Sequence, residues 1–176
     1  MKNLLLIAYL DLKESLRAKW FLIYSLVFGG LIALFFIAGI TESQVMGFSG
    51  LSRLLLMYIQ ITIVILPIFI LITTVRSISG DRDNHTLEYM LSFPISLSQY
   101  YWGKIIGRFV TVFLPVFLAM VIAVIFGAMK GAEVPWSLFL LYAGLLFALT
   151  SSFLGIAFLV SSIVRSSEMG LGVAFF

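Results

Sequence analysis

Asp81, Asp83 and His85 stand at alternate positions, with Glu88 three residues further on, in the stretch GDRDNHTLEYMLSFPIS. Carboxylates and an imidazole are ligands for zinc or manganese, so a metal site is the first chemistry to weigh. Three ligands within so short a stretch need a tight turn, and no second cluster supplies the rest of a coordination shell. His85 is the only histidine and cysteine is absent, which removes thiolate ligation, thiol catalysis and disulfides. A solvated, capped turn is the better reading, and no metal site is assigned. Nor do the serines at 151, 152, 161 and 162 make a protease, since no histidine or His-Glu-x-x-His pair accompanies them. Their hydroxyls are expected to bond back to helix carbonyls or across helices. Gly103-Lys104 lacks the upstream glycine and the following hydroxyl of a phosphate loop, so nucleotide hydrolysis is not expected in this chain.

The elements that hold these residues are set by an unusual composition. Of 176 residues, 62% are hydrophobic and only 11% charged, whereas soluble domains carry roughly 25% charged residues. The charges are gathered so that four stretches, 20–41, 54–75, 109–129 and 134–164, contain none. About 20 apolar residues at 1.5 Å each cross the hydrocarbon of a bilayer. The fold class expected is therefore all-α, a polytopic transmembrane helix bundle with four complete spans. The last stretch exceeds one straight crossing, so a tilt or an interruption near Gly144 or Gly155 is expected. Residues 169–176 would make about 12 Å of helix, less than half a membrane. They read as the start of a fifth span in a truncated chain.

Lys2, Lys13, Arg17, Lys19, Arg76, Arg82, Lys104, Arg108 and Arg165 fall on one side of this topology, and only Arg53 and Lys130 on the other. The positive-inside bias then places the N-terminus and the 76–108 loop in the cytoplasm, with the chain multi-pass in the cell's inner (plasma) membrane. No cleavable signal peptide is read at the start. A net charge of +3, dispersed, gives no reason to expect nucleic acid as a partner. The whole chain, 1–176, reads as one membrane domain without repeats or linkers.

Residues 3–19 read as an amphipathic helix, with Leu5, Tyr9, Leu12, Leu16 and Trp20 at helical spacing and Asp11, Lys13, Glu14 and Arg17 on the rest of its surface. Such a helix lies in the lipid interface with Trp20 near the headgroups. Pro67 and Pro115 each remove a backbone hydrogen bond in mid-span and are expected to kink their helices. Gly29, Gly30, Gly144 and Gly155 are expected to let helices approach closely.

Within the 76–108 loop, Ser79-Gly80 is read as a helix break and Asp83 or Asn84 as an N-cap. A helix of about two turns follows, with Leu87, Met90 and Leu91 on one face and Glu88 at the side, ended by Pro94. Ser96 and Gln99 form a capping-box pattern opening the next helix. Two turns are far too few to persist alone, so this helix needs a surface to dock on. Its acidic flank fits a protein groove better than an anionic leaflet.

The stretch SGDRDNHTLEYMLSFPISLSQYYWGKIIG resembles the first cytoplasmic loop of permease subunits in the second class of ABC exporters. Thr86, Leu87, Glu88, Leu91, Ser92, Pro94, Ser96, Gly103 and Lys104 keep their places in that pattern, while Asn84-His85 stands where a glycine usually precedes the threonine. LDLKESLRAKWFL is similar to the family's entrance helix. The resemblance implies a coupling helix at 84–93 that plugs into a separate ABC ATPase subunit. Thr86, Leu87, Glu88, Tyr89, Met90, Leu91 and Pro94 would then be its coupling residues, with no catalytic residue in this chain. It also implies a six-span permease that dimerises with a second copy. ATP and magnesium would sit on the partner subunit, and no cofactor on this one. The spans carry no ionisable residue of the kind a proton-coupled carrier uses, which agrees with energy entering from outside the bilayer. Gln60 and Thr62 among many isoleucines and leucines leave the cargo open, lipid-linked or small and inorganic. A non-transporting membrane scaffold with a partner-binding loop is the alternative, and a secondary carrier ranks third.

Overall fold

The computed structural model describes residues 2–38, 50–92 and 95–164. Every regular element among them is an α-helix: α1 (Lys2–Arg17), α2 (Trp20–Ile37), α3 (Gly50–Thr74), α4 (Arg76–Asp83), α5 (Thr86–Leu91), α6 (Leu97–Met129) and α7 (Trp136–Ile163). Four helices, α2, α3, α6 and α7, are long and apolar enough to cross a membrane. They correspond to the four uncharged stretches. The fold is an all-α polytopic membrane bundle.

Local chemistry sets several helix ends. At the start of α6 the Gln99 N–H donates to Ser96 Oγ at 3.2 Å, and the Gln99 side chain accepts from the Ser96 N–H at 3.4 Å, so the expected capping box is present. Its far end closes on Gly131, whose φ of 81° suits glycine. There the Ala132 N–H donates to Gly127 O and the Gly131 N–H to Ala128 O, a Schellman closure. With 33 residues, α6 is about 50 Å long, well beyond the hydrocarbon thickness. Its first twelve residues, which include Lys104 and Arg108, therefore extend past the apolar span and position the site.

The core lies along the seam of the long helices. Tyr24, Phe28 and Ile32 of α2 face Leu55, Tyr58, Leu66 and Ile70 of α3, and Val112, Val116 and Met120 of α6. Three buried hydroxyls of this seam find nearby oxygens. Tyr58 donates to Val116 O at 2.8 Å, Thr62 to Tyr58 O at 2.7 Å, and Tyr24 bonds Thr73 at 3.0 Å. Outward, Leu26, Val64, Ile122 and Leu140 lie exposed, an apolar surface suited to lipid.

Several expectations need correction. A Cβ at Gly29, Gly30, Gly144 or Gly155 would meet nothing within 4 Å; the close approaches are at Gly103, Gly107 and Gly127. The long helix α7 runs unbroken through Gly144 and Gly155. The 76–108 loop is mostly helical, comprising α4, α5 and the start of α6. The chain does not break at Ser79-Gly80 but runs through it as α4. The short helix expected at 84–93 is α5, Thr86–Leu91, and is shorter than that. The fifth-span segment and Pro94 lie outside the described residues.

On α1 the correction concerns Asp11, which is not on the open surface. Leu5, Tyr9 and Leu16 are exposed, while Ile7, Ala8, Asp11 and Ser15 are buried against α6. Small and polar side chains pack inward because Gly103 and Gly107 bring the two backbones together. A Cβ on Gly103 would sit 2.8 Å from Ile7 Cβ, and one on Gly107 would sit 2.6 Å from Ala8 O. Lys19, with φ of 61°, turns the chain from α1 into α2.

Candidate functional site

The segment between α3 and α6 is an elbow. After Thr74 the chain leaves α3 at Val75 and restarts as α4, whose first N–H groups have no partner in their own helix. Ser161 of α7 supplies one: the Ile78 and Ser79 N–H groups donate to its Oγ at 3.0 and 3.2 Å. Ser79 Oγ donates back to Val75 O at 3.0 Å. These bonds outweigh the helix-breaking tendency of Ser79-Gly80, which costs only about 1 kcal/mol at the glycine. Ser161 thus makes the cross-helix bond expected of that group, while Ser151 and Ser162 bond back to Phe147 O and Leu159 O.

The chain turns again after α4. Because α4 continues to Asp83, neither Asp83 nor Asn84 caps the next helix. His85 holds the N-cap position at φ 55° without a side-chain cap, and its Nδ1 lies 3.1 Å from Glu88 Oε2. The six residues of α5 follow, with Ser92 closing them by donating from Oγ to Tyr89 O at 2.7 Å. Thr86, Glu88 and Tyr89 are exposed and Met90 is half-buried. Leu87 and Leu91 belong to the helix. Among the described elements α5 packs chiefly on α4. No three His, Cys, Asp or Glu residues among those described come together in a geometry that could hold a metal ion.

Behind the elbow lies a buried charge cluster. One stripe of α6, spaced i, i+3, i+4, i+7 and i+8, carries Tyr100, Gly103, Lys104, Gly107 and Arg108. The glycines seat α1 against the stripe, which brings Asp11 and Ser15 over the two cations. Arg108 donates to Ser15 Oγ at 3.1 Å and to Asp11 Oδ1 at 3.4 Å. Lys104 Nζ donates to Ser77 O at 3.0 Å, pairs with Asp81, and lies 4.0 Å from Asp11 Oδ1. The Tyr100 hydroxyl donates to the same Asp81 carboxylate.

Burial is the dominant influence on Asp11 and pushes its carboxyl above the usual range; Arg108 and Lys104 oppose that rise. Asp11 Oδ2, Arg108 Nε and Ser77 Oγ have no hydrogen-bond partner among the described residues. Beside them a polar cavity of about 150 Å³ opens between Glu14, Ser15, Thr73, Ser77 and Asp81, roomy enough to admit water.

Sequence reasoning located the elbow and its exposed helix but not the cluster. Helical periodicity alone puts Asp11 on the open surface of the first helix, and gives Lys104 and Arg108 no place beyond a loop and a motif. The usable signal was the α6 stripe itself, two glycines alternating with two cations at helical spacing. It matches Ile7, Ala8, Asp11 and Ser15 on the opposing helix.

A family model described as an ABC-2 family transporter protein matches residues 5–176. Over 101 residues the chain is 27% identical to the "Probable ABC transporter permease protein NosY" of Stutzerimonas stutzeri. That match covers 57% of this chain and 37% of the relative's length, so well under two thirds of that protein is represented.

Proposed function

This chain belongs to the ABC-2 transporter family, and we propose that it serves as the membrane-spanning permease subunit of an ATP-driven ABC exporter in the inner (plasma) membrane. In this reading α5 is the plug for a separate ATPase subunit on the cytoplasmic side. That subunit holds ATP and magnesium, and a second copy of the permease completes the translocation path. The observation that carries the reading is the state of α5. Six residues are far short of a self-sustaining helix, yet α5 packs on α4 with Thr86, Glu88 and Tyr89 exposed. An exposed face on a helix that needs a surface to persist suits a docking element.

Movement imposed on α5 would reach the spans through α4. The Ser161 hydroxyl ties the first turn of α4 to α7, so tilting α4 pulls on that span. The exposed Leu5, Tyr9 and Leu16 of α1, flanked by Lys13 and Arg17, would meanwhile lie in the lipid interface.

Substitutions on the open face of α5 test the reading. Glu88→Lys together with Tyr89→Ala is expected to weaken co-purification with the partner ABC ATPase by about tenfold or more, as loss of an interface anchor does. The thermal midpoint of the permease alone should not move. An unchanged yield of complex would favour the non-transporting scaffold instead.

A further inference from the structure

Lys104 is buried at 5% exposure on the extension of α6 that rises beyond the apolar span. An ammonium in such a place is expensive to desolvate; apolar side chains in place of the whole ion-paired group would ordinarily hold the fold as well, whereas removing Lys104 alone strands its carboxylate partners. Its contacts are divided. Two of its bonds go to α4, to the Asp81 carboxylate and to Ser77 O at 3.0 Å, and its third neighbour is the Asp11 carboxylate of α1 at 4.0 Å. The flanking members of the stripe are not divided. The hydroxyl of Tyr100 reaches α4 through Asp81, while Arg108 reaches α1 through Asp11 and Ser15.

The two partner helices sit differently on α6. The first, α1, is seated backbone to backbone at Gly103 and Gly107, so it follows α6 as a rigid attachment. By contrast α4 packs against α7, α5 and α3 rather than closely on α6, so long side chains bridge the gap. Space is available for that bridge to shift, because the 150 Å³ polar cavity opens directly beside Lys104, Asp81 and Ser77.

We propose that Lys104 is the positioning residue that joins α4 to the unit of α1 and α6, so that a displacement of α4 is delivered to the entrance helix and the third span together. In its functional meaning this rests on α5 as the ATPase plug; as a mechanical joint it stands without it. The consequence is a division of labour. Ser161 passes motion to α7, and Lys104 passes it to α1 and α6.

Amide hydrogen exchange on the purified chain in lipid nanodiscs, with no ATPase present, reads the joint directly. Lys104→Met is expected to speed exchange in both α4 and α1 by about tenfold or more. Tyr100→Phe should speed it in α4 alone, and Arg108→Met in α1 alone. A Lys104→Met effect confined to one helix, or absent, overturns the proposal. Should that variant fail to fold, Asp81→Asn and Asp11→Asn divide the same question. Each keeps Lys104 and should loosen only its own helix, α4 or α1 respectively. Loosening of both helices by either variant, or of neither, would show that the cluster is not jointed at Lys104.

In the complex with ATPase, Lys104→Met should leave a cysteine at position 88 protected. It should abolish the nucleotide-dependent change in labelling of a cysteine at position 9, and Lys104→Arg should restore part of that change. A change that persists in full overturns the joint. If position 88 is never protected, the plug reading fails while the exchange result still decides the joint.

Discussion

At the seam between α2, α3 and α6, Tyr24, Phe28 and Tyr58 fill the interface with rings, and each hydroxyl finds a nearby oxygen. At the junction of α1, α4 and α6, the interface is instead narrowed to glycine and filled with Asp11, Lys104, Arg108 and Asp81. Both are buried, but they are held by opposite means. The seam lies among lipid tails, where an unpaired charge is costly and shape complementarity does the holding. The junction lies on the extension of α6 beyond the span, where water can reach a polar cavity and ion pairs can rearrange. Helices that must keep their relation in the bilayer meet through apolar packing; helices at the elbow meet through exchangeable polar contacts. That contrast fits a rigid span driven from a movable end.

The comparison breaks most severely where the junction's close approach is filled. Gly107→Leu places a Cβ 2.6 Å from Ala8 O, so α1 must lift from α6 and uncover Asp11 and Arg108. A loss of about 3 kcal/mol or more is expected, read as a large fall in the thermal midpoint in detergent. Gly144→Leu, with nothing within 4 Å of its Cβ, is the matched control and should leave the midpoint nearly unchanged.

Next in size is Arg108→Met. It leaves the Asp11 carboxylate buried with Lys104 at 4.0 Å as its remaining cationic neighbour, one of its oxygens being unbonded already. About 3 kcal/mol should be lost, and double substitution with Asp11→Leu should recover a large part of it. Failure of the second change to compensate would mean that the cost comes from packing of the arginine stem rather than from the stranded charge.

The seam answers more mildly. Tyr58→Phe removes the bond to Val116 O but keeps the ring against Phe28, and about 0.5–1 kcal/mol is expected. An effect as large as that of Arg108→Met would erase the distinction between the two regions.

The spans were legible because absence of charge over some 20 residues has few causes other than a bilayer. The capping box at Ser96 and Gln99 was legible because both partners sit three residues apart in the chain. The inward face of α1 was not. Periodicity marks the apolar stripe as the side for lipid, but it does not say that the opposite, polar side packs against another helix. Here Leu5, Tyr9 and Leu16 turn outward, because Gly103 and Gly107 accept only the shallow face of Ala8, Asp11 and Ser15. Ser79-Gly80 misled for a similar reason. The bond that rescues the helix there comes from Ser161, more than eighty residues away in the chain. The glycines that looked suited to close packing, at 29, 30, 144 and 155, are those of the apolar runs; the ones that pack at the junction are flanked by cations.

The proposal that α5 docks on an ATPase is tested most directly by a single thiol. The chain has no cysteine, so Glu88→Cys gives one reporter on the exposed side of α5, and Phe126→Cys gives a control on the apolar surface far along α6. A membrane-impermeant maleimide would be applied from the cytoplasmic side, with the ATPase absent and then present. The account predicts that position 88 labels readily alone and becomes protected in the complex, while position 126 does not change. Equal labelling at position 88 in a demonstrably assembled complex would contradict it.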